Sequence, residues 1–218
     1  MQHFRAPRWL PGGNLQTIWP ALFSKTSPHG PPAYRRERWD TPDGDFIDVD
    51  WTDAPLPAPL LVLFHGLEGS SASHYAVALM AAVQMAGWAG AVVHFRGCSG
   101  VPNRLPRAYH SGDSAEIDWV LRRLRSRFPQ RHLFAAGVSL GGNALLKWLG
   151  EQELAAGAVV DAAAAVSAPL DLTACGHHLG RGFNRVYTHH FLRTLKRDAA
   201  AKLARFPGLF DGARMAHA

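Results

Sequence analysis

The chain has 218 residues, of which 47% are hydrophobic and 18% charged, enough apolar content for one α/β domain with a core and too much for a disordered chain. Its formal net charge of +6 does not by itself mark a nucleic-acid binder. The one basic cluster, Arg122, Arg123, Arg125 and Arg127, alternates with Trp119, Val120, Leu121, Leu124 and Phe128, which is the wet side of an amphipathic helix without a stacking platform, so no nucleic-acid partner is expected.

Residues 1–33, rich in Pro, Gly and aromatics, read as an irregular N-terminal arm with one helical turn at Leu15 to Trp19. "TPDG" lies between two alternating segments, so Tyr34 to Trp51 reads as a β-hairpin. "PLLVLFHG" is a continuous apolar run of the kind buried on both faces of a parallel sheet. A helix from Ser73 to about Ala86 follows, closed by Gly87, and then a second core strand, "AGAVVHFRG". Asp113 and Glu116 stand at capping-box spacing before a helix that runs to Phe128 and stops at Pro129. "HLFAAGV" is a third core strand, Ala144 to Glu151 lies in a helix, and "AVVDAAAAVSA" contains a fourth core strand. This alternation predicts a parallel sheet with right-handed crossovers. After Pro169 the chain turns basic and helical.

The two cysteines, Cys98 and Cys175, form no framework and read as free thiols of a reducing compartment. The opening "MQHFRAPRWLPGG" lacks the apolar stretch of a signal peptide. Ala155 to Ala168 is interrupted by Asp161 and is too short to span a bilayer. A cytoplasmic protein without a transmembrane segment is expected.

Chemistry concentrates at Gly137-Val138-Ser139-Leu140-Gly141. A serine between a core strand and a helix, with small residues on both sides, is the pattern of a nucleophile elbow, in which a tight turn forces the serine into a strained conformation above the sheet. Leu63 to Gly69, "LFHGLEG", stands where a loop donates a backbone N–H to an oxyanion hole, so Leu67 and Leu140 are the expected donors. No phosphate loop or dinucleotide fingerprint occurs, and no cofactor is implied. The pairs His177-His178 and His189-His190 do not follow a metal-ligand spacing and read as polar positions on helices; no metal is expected. Cys98, in a loop with no activating base in view, is not expected to be a nucleophile.

"LVLFHGLEGSSASHY", "VVHFRGCSGVPNRLPRAYHSGD", "AAGVSLGGNALLKWLGE" and "LPGGNLQTIWPAL" resemble the YheT-like branch of the α/β-hydrolases, esterases and acyltransferases. The resemblance implies strand order 1-2-4-3-5-6, then helical cap segments, and Ser139 as nucleophile of a Ser-Asp-His triad acting on a small-molecule ester with an apolar acyl chain. Members continue through two further strands whose loops carry the Asp and the His, whereas this sequence stops at "FDGARMAHA". The expected organisation is therefore an arm (1–33), an α/β-hydrolase core (34–170) and the start of a helical cap (171–218), with the last two strands absent. Among the acids downstream of Ser139, only Asp171 leaves a core strand at the catalytic edge. The expectation is thus a serine esterase impaired by loss of its triad Asp and His, the alternatives being an alcohol acyltransferase or a non-catalytic binding protein or fragment. The oligomeric state stays open.

Overall fold

A computed structural model describes residues 5–23 and 32–217. Residues 1–4 and 24–31 of the expected arm lie outside the described residues. In chain order the elements are α1 (Gly12–Phe23), β1 (Arg35–Asp40), β2 (Phe46–Thr52), β3 (Leu60–Phe64), α2 (His74–Met85), β4 (Ala89–His94), α3 (Ser114–Arg127), β5 (Leu133–Val138), α4 (Leu140–Gln152), β6 (Ala162–Val166), α5 (Leu172–Leu179), α6 (Arg185–Arg205) and α7 (Gly212–His217), with short 3-10 helices at Glu153–Ala158 and Gly182–Asn184.

The six strands form one mixed sheet in the order β1-β2-β4-β3-β5-β6, as the resemblance implies. The β1–β2 hairpin is antiparallel and joins β4 antiparallel, with Asp48 opposite His94, while β3 runs parallel to both β4 and β5. The eight-stranded form of this fold has two strands more. Side-chain alternation sorts the central strands into two layers. Val62, Phe64, Ala91, Val93 and Ala135 face Ile117 and Leu121 of α3 and Leu145 and Trp148 of α4. Leu63, Val92 and Ala136 face Ala76, Met80 and Val83 of α2. The result is a three-layer sandwich, which places the ends of β3, β4 and β5 along one edge.

Three local expectations differ from the structure. The arm carries a twelve-residue helix, α1, instead of a single turn, and Trp19 packs against both Trp9 (centroids 5.0 Å apart) and Phe23 (4.5 Å). The capping box does not form: Asp113 makes no side-chain cap bond, because Arg107 Nη2 donates to both its oxygens at 2.8 and 2.9 Å, and Arg96 takes Glu116 at 2.6 Å. A strand-to-helix corner rich in arginine offers these carboxylates stronger, charge-assisted partners than a backbone N–H. β6 is exposed at all five positions and is not a core strand, since β5 pairs it on one side only. Within β2, Asp48 and Asp50 are buried under Arg38, Arg36 and Ser71.

The basic cluster is committed to the fold. Arg122 pairs with Asp118, Arg125 with Asp161 and Arg127 with Glu37, while the Arg123 guanidinium lies 4.8 Å from the Trp39 ring centroid.

Candidate active site

Ser139 directly follows β5 and stands at the N-cap of α4 with φ 52° and ψ −117°, a left-handed conformation that costs a non-glycine residue of order 1–3 kcal/mol. Two contacts hold it there. Ser139 N–H donates to Val166 O at 2.9 Å, and Ser139 O accepts from Asn143 N at 2.9 Å. The turn closes only because its neighbours lack side chains. A Cβ on Gly137 would lie 2.6 Å from both Gly141 O and Gly142 Cα, and one on Gly141 would strike the Phe64 carbonyl.

The loop after β3 lies against this turn, since a Cβ built on Gly66 would stand 3.2 Å from Ser139 Cβ. Within it Gly66 N–H donates to Tyr75 Oη at 2.9 Å and Glu68 N–H donates to Tyr109 Oη at 2.8 Å. Between them the Leu67 N–H has no acceptor among the described residues, and neither has the Leu140 N–H at the start of α4. His65 is fully buried behind the loop. Its Nε2 accepts from Phe95 N–H at 3.1 Å while Nδ1 lies 2.7 Å from Gly66 O. Phe95 thus reserves the Nε2 lone pair, which leaves Nδ1 as the donor. Burial lowers the pKa of this imidazole from 6.5 to about 4.

Three residues outside the sequence-predicted site form a further network. Ser71 Oγ donates to Asp50 Oδ2 at 2.5 Å, and His94 Nε2 lies 2.8 Å from the same oxygen. Arg36 grips both Asp50 oxygens at 2.7 and 2.8 Å. Burial pushes the Asp50 carboxyl up, but hydrogen bonds from Arg36, His94 and Ser71 outweigh it and hold the group far below its ordinary value. The network resembles a catalytic triad in its groups, with the carboxylate standing between serine and imidazole. It overturns the expectation that the chain has lost its acid and base and is thereby impaired. The chain order serine, acid, histidine of this fold points only to residues after Ser139, whereas Asp50 and His94 precede it, one within β2 and one at the end of β4.

Asp171, the acid expected at the catalytic edge, caps α5: its Oδ1 accepts from Ala174 N at 2.8 Å. No histidine hydrogen-bonds to it among the described residues. His177 and His178 lie exposed on α5, and His189 and His190 exposed on α6. Among the described residues no cluster of His, Cys, Asp and Glu could hold a metal ion. Cys98 is a poor nucleophile, because burial pushes its thiol pKa up to about 12.

A cavity of about 620 Å³ opens beside this edge, between Leu67 and Glu68 of the loop, Pro102 and Tyr109 of the β4–α3 connection, and Leu195 of α6. Its walls begin at Leu67 and do not include Ser139. Lys202, in the cavity wall, ties α6 to the β4–α3 connection, donating to Asn103 Oδ1 at 2.9 Å and Arg107 O at 2.7 Å.

The sequence profile described as "alpha/beta hydrolase fold" matches residues 59–211. The chain belongs to the α/β-hydrolase fold family. Within it the chain is 47% identical over 198 residues to the "Putative esterase YheT" of Escherichia coli (strain K12), a match covering 89% of this chain and 57% of that protein, which confirms the YheT-like branch. It is 29% identical over 203 residues to "Phospholipase ABHD3" of Homo sapiens, covering 89% of this chain and 48% of that protein. This α/β-hydrolase chain therefore spans about half the length of the curated relatives it matches. The Pyrococcus furiosus esterase Pf2001 shares its fold, with a TM-score of 0.56 at 18% identity over 69% of this chain and 57% of that one.

Proposed function

We propose that this chain carries the active centre of a carboxylic ester hydrolase in which Ser139 is the nucleophile and the Leu67 and Leu140 N–H groups hold the oxyanion. The observation that carries the reading is the strained Ser139 at the β5–α4 turn, φ 52°, with the Leu67 and Leu140 N–H groups left without acceptors among the described residues. Ser139 Oγ attacks the ester carbonyl carbon, the C=O electrons move onto oxygen, and the two N–H groups receive the charge. The bond to the alcohol oxygen then breaks and the proton given up by Ser139 Oγ ends on that departing oxygen, leaving an acyl-serine that water hydrolyses to the acid. The position of Ser139 at the N-terminus of α4 also favours negative charge there.

The names of the relatives support an ester or lipid substrate, and the apolar walls at Leu67, Pro102 and Leu195 support an apolar acyl chain. Helices α5 to α7 are the start of a cap over the core in this reading. No helix among the described residues is long and apolar enough to cross a membrane. The free thiols Cys98 and Cys175 favour the cytoplasm as the site of action.

A second reading takes Ser71 as the reacting hydroxyl, favoured by its 2.5 Å bond to Asp50 and the adjoining His94. One experiment separates the two. A fluorophosphonate is added to the purified chain and the modified peptide is identified by mass spectrometry. Label on Ser139, abolished by Ser139→Ala and retained by Ser71→Ala, supports the first reading. Label on Ser71 supports the second, and a chain that takes no label on either serine refutes both.

A further inference from the structure

The geometry points to Tyr75 and Tyr109 as positioning residues that hold the Leu67 N–H aimed at the oxyanion, an inference that rests on the Ser139 reading above. Leu67 lies in a loop of glycines and a left-handed residue, Glu68 (φ 55°), with no regular ladder to fix its peptide plane. The two tyrosine hydroxyls replace that ladder. Tyr75 Oη accepts from the N–H of the residue before Leu67, and Tyr109 Oη accepts from the N–H of the residue after it. The Tyr109 O–H in turn donates to Glu68 Oε1 at 2.6 Å, so one phenol grips both the backbone and the side chain of Glu68.

Both phenols come from outside the loop and are themselves fixed. Tyr75 sits in the first turn of α2, which packs on the sheet. Tyr109 lies parallel to Phe95 (centroids 5.5 Å apart, planes 4° apart), and Phe95 in turn packs edge-on against His65 at 4.9 Å. Burial raises the pKa of each tyrosine above its ordinary value, so each stays a neutral phenol. With the N–H groups of Gly66 and Glu68 consumed, Leu67 is the residue of this three-residue stretch whose N–H has no acceptor among the described residues. A peptide plane free to turn would swing this donor off the oxyanion, and a donor removed from such a site costs about 10²–10³ in rate.

The test compares Tyr109→Phe and Tyr75→Phe with the parent chain on a short p-nitrophenyl ester and on its thionoester. A sulfur anion draws less from an N–H donor than an oxyanion does, so loss of donor alignment weighs on the oxygen ester. Each variant is expected to lower kcat on the ester by about 10- to 100-fold with KM within about twofold, and to lower the thionoester rate less. Amide hydrogen exchange of the 65–69 segment should quicken in both variants. Equal losses on the two substrates, an unchanged kcat, or unchanged exchange would overturn the assignment. Should one variant fail to fold, the other decides. Fluorophosphonate labelling of the parent keeps the two ideas apart: a parent labelled at Ser139 whose variants keep full kcat refutes the positioning role alone, whereas a parent with no reactive Ser139 refutes both.

Discussion

The carbonyl oxygen of His65 occupies the space a side chain on Gly141 would need, with a Cβ there coming within 2.5 Å. Both partners are backbone atoms of packed elements, so neither can yield by a rotamer change. Gly141→Val, and likewise Gly137→Val, is expected to cost more than about 3 kcal/mol and to prevent soluble expression. Gly150, in the same helix, meets nothing within 4 Å, so Gly150→Ala should gain about 0.5–1 kcal/mol. Soluble yield checks the first sign and chemical denaturation the second. A Gly141→Val chain as stable as the parent would contradict the close approach of α4 to the loop after β3.

His65 gives a pH dependence with a definite sign. The folded chain keeps the imidazole neutral down to about pH 4, whereas in the unfolded chain it takes a proton below about 6.5. The unfolded state therefore binds more protons between these values, and stability falls as pH falls through that window, by about 3 kcal/mol from this residue. NMR of ring-labelled histidine should show His65 neutral, with the proton on Nδ1, at pH 5.5. A charged ring at that pH in the folded chain would refute the burial argument.

Arg96 pairs with three carboxylates, Asp43, Asp45 and Glu116, of which Asp45 and Glu116 are buried, while Arg107 stands farther off at 3.8 Å from Asp43 and 4.0 Å from Glu116. Arg96→Met takes from the buried Asp45 and Glu116 the cation closest to them and should cost about 3–5 kcal/mol. The deficit should shrink as pH is lowered towards 5, because the stranded carboxylates then take up protons. Adding Glu116→Gln should recover part of the loss at pH 7. A variant whose deficit is independent of pH would place the cost in packing instead of charge.

Strand β6 presents a run of four alanines and a valine with one edge unpaired among the described residues, and Val166 is 53% exposed. Such an edge templates pairing with another chain. The 218-residue chain is expected to self-associate as its concentration rises, and Ala164→Lys to reduce this, as followed by sedimentation velocity. Identical sedimentation of the two proteins would rule the edge out as the contact.

Local features were legible in the sequence because they depend on neighbours only a few residues away. The glycines at 137 and 141 announce a turn too tight for side chains, and the apolar runs at Leu60 and Ala89 announce strands covered on both faces. From these the strand–helix alternation and the placement of Ser139 follow without coordinates. The tertiary structure alone decided which distant groups meet. Asp50 reaches His94, 44 residues away, because β2 pairs with β4 and not with β3, its successor in the chain. Tyr109 reaches Glu68 across 41 residues because the connection after β4 folds back over the end of β3. Periodicity records whether a residue is covered but not by what. The pattern of β2 therefore names none of the groups, Arg36, Ser71 and His94, that the pairing sets against Asp50.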